Sequence, residues 1–254
     1  MPGDEFPTLD RSQLPALDAA QMREVDRLMT EEYFVDLEQM MENAGRCLAH
    51  LARRLYPAAG PSGRPVLVMV GVGGNGGGAL SAARRLANWG YSVHVALVAE
   101  PVRLSGVPAR QLQIAQRLGL AGTTAVADPD RLPTDVSLII DGLIGYTLQG
   151  VPRGNFARMI RWTNASPAPV LALDVPSGLD ASSGQVMDPC VRAAETLALA
   201  LPKACLLTKA GRERSGDLYL ADVGVPPQLY AEPSLGLLVP SLFSKSDILR
   251  IGEQ

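Results

Sequence analysis

Apolar residues recur at helical spacing in the first quarter of the chain and in short blocks thereafter. Leu17, Met22, Val25, Leu28 and Met29 form one stripe and Met40, Met41, Leu48, Leu51 and Leu55 another, which predicts amphipathic helices over residues 18–30 and 37–56. A Pro, Gly and Ser cluster over 57–65 ends the second helix. Beyond it, strands are predicted over 66–71, 92–98, 136–141, 170–174, 196–201 and 218–223, with a short one near 124–126. Helices are predicted between them over 77–89, 105–118 and 156–163. Apolar runs of strand length separated by helices mark a sheet buried on both faces. The predicted fold class is therefore α/β, a mostly parallel sheet with helices on both faces in three αβα layers.

The first of these strands runs into Gly71-Val-Gly-Gly-Asn-Gly-Gly-Gly78 and then into a helix. Glycines let a backbone turn sharply and bring bare N–H groups to a ligand, and a helix N-terminus adds unsatisfied donors and a positive dipole end. That combination holds phosphates in α/β proteins. Gly71, Gly73 and Gly76 also satisfy G-x-G-x-x-G, with Glu100 at the end of the next predicted strand. On this loop alone a nicotinamide dehydrogenase and a purely structural turn both stay open.

Polar residues collect at three predicted strand ends, and those ends share one edge of the sheet. They are Asn75, Asp141 in Asp-Gly-Leu-Ile-Gly-Tyr and Asp174 in Asp-Val-Pro-Ser-Gly. A carboxylate closing a buried strand needs a cation or several donors to offset desolvation, although Asp174 would also serve as a turn cap. Asn75, Asp141 and the Ser177 hydroxyl are hard oxygen donors, and one carboxylate among neutral oxygens suits a monovalent cation.

Composition narrows the classes. The 254 residues carry a net charge of −3, with 47% hydrophobic and 19% charged side chains, enough for one sizeable core. No basic surface for nucleic acid or an anionic membrane is expected. No segment reads as a secretory signal or a membrane span. Cys47, Cys190 and Cys205 are odd in number and widely spaced, which fits a reducing cytoplasm better than disulfides or zinc. His50 and His94 read as a helix-surface and a strand residue, so acid–base chemistry falls to carboxylates or lysine.

Several motifs now resemble, in order, those of the YjeF N-terminal-domain family, the NAD(P)H-hydrate epimerases. Leu37-Glu-Gln-Met-Met-Glu-Asn-Ala-Gly45 is similar to its L-M-E-N-A-G helix, 71–80 to G-P-G-N-N-G-G-D-G-L, 141–145 to D-A-I-F-G and 174–178 to D-I-P-S-G. Leu201-Pro-Lys203, Gly216-Asp-Leu-Tyr and Val223-Gly-Val-Pro226 resemble its closing segments. The resemblance covers nearly the whole chain and implies one YjeF N-terminal-type domain over 1–254. Its start, 1–15, would be loose, and helices within 16–56 would pack on a Rossmann-like core over 65–240.

The resemblance also implies a potassium ion held by Asn75, Asp141 and Ser177. Its substrate would be hydrated NADH or NADPH, bound by Gly74, Asn75, Gly76, Gly77 and Gly78 and by Gly145, Tyr146, Thr147, Leu148, Gln149, Gly150 and Val151. Asp174 would act at the reacting ring as general acid and base. The implied reaction interconverts R and S hydrates, with a separate S-specific dehydratase regenerating the cofactor because the chain ends soon after Val239-Pro240. Self-association through the N-terminal helices is a further implication, and a cytoplasmic location fits the cysteines.

In the glycine loop two departures remove polar side chains: Gly74 replaces the first Asn and Gly78 the loop Asp. Glycine keeps the amides but removes a carboxylate able to make a charged hydrogen bond, about 1.5–3 kcal/mol. Tyr146-Thr-Leu-Gln-Gly150 also lacks a Lys before its glycine, and Lys203 reads equally as a surface residue or a ligand contact. Besides the epimerase, two readings stay open: a relative that binds a nucleotide or protein without catalysis, as in RNA-decapping scaffolds, and an NAD-dependent oxidoreductase.

Overall fold

A computed structural model describes residues 6–60 and 63–252. Strands β1 (Thr8–Asp10), β2 (Val66–Val70), β3 (Val93–Leu97), β4 (Leu138–Gly142), β5 (Val170–Leu173), β6 (Glu195–Leu199), β7 (Asp217–Ala221) and β8 (Ile248–Gly252) form one sheet in the order β1-β8-β7-β6-β5-β4-β2-β3. All pairs are parallel except β7 with β8. Helices α1 (Ala19–Glu31), α2 (Leu37–Leu55), α3 (Gly74–Asn88), α4 (Gly106–Arg117) and α5 (Gly154–Ala165), with the short α6 (Lys209–Ser215) and α7 (Pro227–Tyr230), complete it.

The alternation of side chains along β2 separates the layers. Val66, Val68 and Val70 face a core with Leu48 and Leu51 of α2, Leu80 and Leu86 of α3 and Leu112 of α4. Leu67 and Met69 point the other way, against Met159 and Ile160 of α5. On that second face, farther along the sheet, the predicted α1 stripe of Met22, Val25, Leu28 and Met29 packs with Ala198, Leu220 and Ile251. A reciprocal cap starts α1: Asp18 Oδ1 accepts from Gln21 N at 2.7 Å, and Asp18 N donates back to the Gln21 amide oxygen at 3.0 Å. The three-layer αβα arrangement expected from the sequence is the one found.

Three details differ from expectation. Helix α3 begins at Gly74 rather than 77, because packing overrides the poor helix propensity of successive glycines. No strand forms at 124–126; the chain there meets β3 through the isolated bridge of Ala121 with His94 and the bond from Ala127 N to Leu97 O. The expected loose start supplies β1, and the sheet extends past residue 240 into β8, which lies between β1 and β7. Residues 1–5 of that start lie outside the described residues.

Strand order reverses at β2: β3 lies on one side of it and β4 on the other. A crevice therefore opens beyond the carboxyl ends of β2 and β4, the customary ligand position in such sheets.

Candidate functional site

At the end of β2 the glycines divide into two kinds. A Cβ on Gly71 would lie 1.8 Å from Leu143 O, and one on Gly76 would lie 2.0 Å from Gly71 O, so both are required by backbone packing. A Cβ on Gly77 would meet Met41 Sδ at 2.6 Å. Gly73 faces open space, and Gly74 has only Met41 Cε, at 3.5 Å from an added Cβ. The amides that open α3 are thus free to be approached.

They floor a cavity of about 780 Å³. Gly73, Gly74, Asn75 and Gly78 line one side, and every residue of 143–153 lines another. Met22 and Asp26 of α1 and Leu37, Met40 and Met41 of α2 close it, with Asp174 and Lys203 at the sheet edge. The size and the apolar wall with few polar groups match small-molecule sites.

Asp174 is 2% exposed and has a left-handed backbone, φ 70°, a conformation that Asp tolerates better than most side chains. Its carboxylate is held unequally. Tyr146 N donates to Oδ2 at 3.0 Å, whereas Oδ1 lies 2.6 Å from Lys203 Nζ. That ammonium directs its hydrogens to Leu199 O at 2.8 Å and Leu201 O at 3.4 Å. Oδ1 is therefore buried against the ammonium in a close charge contact. Lys203 is 1% exposed, so its reading as a surface residue is corrected.

Asp141 lies beneath the cavity. Ser177 Oγ donates to its Oδ1 at 2.7 Å, Ser177 N to Oδ2 at 2.9 Å and Leu143 N to Oδ1 at 3.2 Å. Burial pushes its pKa above the ordinary carboxylate value, and the Ser177 and Leu143 bonds pull against that. Among the described residues no Lys or Arg pairs with it. Asn75 Nδ2 donates to Leu173 O at 2.8 Å, while its Oδ1 lies 2.5 Å from the Cβ position of Gly145. Only glycine fits there.

Asp26 was not foreseen. Its Oδ2 accepts from the Tyr146 hydroxyl at 2.5 Å. Burial raises the Asp26 pKa, opposed by that bond and by the charge of Lys203. The Tyr146 phenol is pushed up by burial first and by Asp26 second. An acid on the stripe side of α1 carried the only sequence signal, and it reads equally as a solvated helix face.

Of the residues expected to contact substrate, Gly74, Asn75, Gly78, Gly145, Tyr146, Thr147, Leu148, Gln149, Gly150, Val151 and Asp174 line the cavity. Gly76 and Gly77 lie under that lining, packed on Gly71 and Met41. Asp141 and Ser177 are bonded to each other as expected of neighbours, and Asn75 sits across the same loop from them, beside Gly145.

Residues 37–205 match the family described as YjeF-related protein N-terminus. The chain belongs to this family. Among the relatives of this YjeF N-terminal chain, a protein of Dehalogenimonas lykanthroporepellens named NAD(P)H-hydrate epimerase is 42% identical over 91% of both chains. One of the same name from Truepera radiovictrix is 40% identical, over 86% of this chain and 94% of its own. The bifunctional NAD(P)H-hydrate repair enzyme Nnr of Moorella thermoacetica is 34% identical over 84% of this chain but 41% of its own length. The crystal structure of yeast ynu0, YNL200c, superposes with a TM-score of 0.79 at 23% identity, over 94% of this chain and all of that one, and shares the fold.

Proposed function

We propose that this protein is an isomerase, an NAD(P)H-hydrate epimerase that interconverts the R and S hydrates of NADH and NADPH. The observation that carries the reading is the Asp174 carboxylate, which lines the cavity and is held there by the Tyr146 amide at Oδ2 and the buried Lys203 ammonium at Oδ1. The names of the relatives at 40–42% identity support it.

The hydroxyl at C6 of the hydrated ring sits next to a ring nitrogen. The nitrogen lone pair expels it as water once a proton is supplied, and water returns to either face as a proton is withdrawn. The Asp174 carboxyl group supplies and recovers that proton, and the Lys203 charge beside it steadies the carboxylate form. The open amides at the start of α3 and the 145–151 loop hold the rest of the dinucleotide, which orients the ring.

Potassium is the ion proposed for the residues beneath the cavity. Asp141 is a buried carboxylate that no Lys or Arg among the described residues pairs with, the Ser177 hydroxyl lies 2.7 Å from it, and Asn75 Oδ1 faces Gly145 of the loop that follows it. Such an ion would offset the Asp141 charge and order the two loops that carry these residues. Replacing sodium by potassium at equal ionic strength is expected to raise Tm in the wild type and to leave Asp141→Asn unchanged. A wild-type Tm indifferent to the cation would remove potassium from the reading.

The buried free thiols of Cys47, Cys190 and Cys205 suit a reducing cytoplasm. Exposed Phe34 and Leu37, where α1 meets α2, offer an apolar corner for self-association. An S-specific dehydratase is the functional partner, and no nucleic acid or membrane takes part.

The test is a chase. R-NADHX or R-NADPHX is supplied with an S-specific dehydratase, and recovery of reduced cofactor is followed with and without this protein. Recovery faster than the spontaneous rate supports the epimerase. No acceleration at high protein concentration would overturn it in favour of a binding relative, and net oxidation of nicotinamide would indicate a dehydrogenase.

A further inference from the structure

Beyond Asp174, one polar contact in the cavity joins elements that neither the sheet nor the glycine loop connects. Asp26 belongs to α1 and Tyr146 to the loop after β4, and Asp26 accepts the Tyr146 hydroxyl at 2.5 Å. Tyr146, through its backbone N–H, also donates to Asp174 Oδ2 at 3.0 Å. Tyr146 thus links the two carboxylates, one through its side chain and one through its main chain. The chain before it is anchored, since Ile144 N donates to Ser177 Oγ at 2.8 Å, whereas beyond it Gly150 has φ 66° and Thr147, Gln149 and Gly150 are exposed. The tether to α1 is therefore the hold on the far side of the Tyr146 amide, opposite the Ser177 anchor.

We infer that Asp26 is a positioning residue for the proton-transfer step. Through the Tyr146 hydroxyl it holds the loop so that the Tyr146 amide stays on Oδ2 of Asp174, which, with Lys203 against Oδ1, fixes the carboxyl group at the cavity wall. This rests on the epimerase reading for its chemistry but not for its geometry. It differs from a direct role for Asp26 because a neutral acceptor at the same place serves equally well. An Asn at position 26 can still accept the phenol's hydrogen, whereas Ala cannot, and Phe at position 146 removes the donor.

The R-hydrate chase is run with purified full-length protein, wild type and the variants Asp26→Asn, Asp26→Ala, Tyr146→Phe and the Asp26→Ala/Tyr146→Phe pair. Asp26→Ala and Tyr146→Phe are expected to lower kcat roughly ten- to hundredfold with KM within about twofold. Asp26→Asn is expected to restore kcat to within about threefold, and the pair to be no worse than the poorer single variant, as for two ends of one contact. If Asp26→Asn is as inactive as Asp26→Ala, the positioning role is overturned in favour of a charge or proton supplied by Asp26 itself. Amide hydrogen exchange over 143–151 is measured on the same proteins. Faster exchange there in Asp26→Ala and Tyr146→Phe, with Asp26→Asn near wild type, supports the tether independently of turnover. A wild-type protein without turnover would overturn only the epimerase reading. Unchanged exchange in both disrupting variants would overturn the tether whatever the turnover.

Discussion

Lys203 and Asp174 face each other at 2.6 Å with 1% and 2% of their side chains exposed, and that burial decides what each substitution does. Removing one charge leaves the other buried without a partner, which costs about 3–5 kcal/mol in comparable pairs, while replacing both with apolar groups is often neutral. Lys203→Met is therefore expected to lower Tm sharply, and Lys203→Met/Asp174→Leu to regain much of it without regaining turnover. A double variant no more stable than Lys203→Met would show that the pair is not the source of the loss. Asp174→Asn is expected to silence turnover and, because Lys203 is buried beside it, to lower Tm as well. Asp174 was legible because an acid closed an apolar strand, whereas Lys203 was not, since a Lys before a loop has the same sequence whether it faces water or a carboxylate. Gly78 shows the limit in another way. A Cβ there would lie 3.0 Å from Leu173 Cδ2 and 3.8 Å from Ala44 Cβ, so the family's acid at this position would sit among apolar atoms in this chain. Gly78→Asp is expected to lower stability by about 1–3 kcal/mol, the cost of an imperfectly paired buried polar group, and not to raise turnover. A faster and equally stable variant would contradict this.

At the scale of elements, the motif Met41-Glu-Asn-Ala-Gly45 describes how α2 clamps α3, and α3 carries the glycine turn. Glu42 binds Arg84 at 2.6 and 2.5 Å, Arg85 at 2.9 Å and Gln111 of α4 at 2.8 Å. Burial pushes its pKa up, but those partners outweigh it and hold the carboxyl below its ordinary value. Gly45 allows the close approach: its Cβ would fall 2.4 Å from Ser81 Cβ and 2.8 Å from Ala82 N. Gly45→Ala is expected to cost about 1–3 kcal/mol by overpacking and to weaken turnover as well, because the start of α3 must shift with the helix. Thermal melting together with the R-hydrate chase checks this, and loss of stability with full activity would uncouple the clamp from the site. The helical period of α2 was readable in the chain. Its partner was not, since nothing in the spacing of α2 says which helix lies against Gly45. The three-residue error at the start of α3 has the same origin, for Gly76 is helical on account of its fit against Gly71 O.

Over the whole molecule, the central strands were legible because burial on both faces makes them uniformly apolar, and the site followed from the edge at which they end. The two strands at the β1 end were not: Thr8–Asp10 has only three residues and carries Asp10, Ile248–Gly252 carries Arg250, and they become strands by pairing with each other and with β7. At the opposite end of the sheet from the cavity, Glu195 opens β6 in register with Asp217 and takes a hydrogen bond from Tyr56. Burial first, and the Asp217 charge second, raise its pKa from 4.5 to about 7. A carboxyl whose folded pKa is raised binds its proton longer in the native state than in the unfolded one. Its contribution is thus full at pH 4, declines as pH climbs from about 4.5 to about 7, and is constant above that. Glu195→Gln keeps a partner for Tyr56 and does not titrate, so it is expected to exceed the wild type in stability at pH 8 and to match it near pH 4. Discounted for partial exposure, the gap is about 1 kcal/mol, or about 2–4 °C in Tm for a domain of this size. Asp26 and Asp141 bend the wild-type curve in the same direction and Glu42 in the opposite one, so the difference between the two melting curves, rather than either alone, isolates Glu195. A difference that does not change between pH 4 and pH 8 would mean that Glu195 ionises in the folded protein as it does in the unfolded chain.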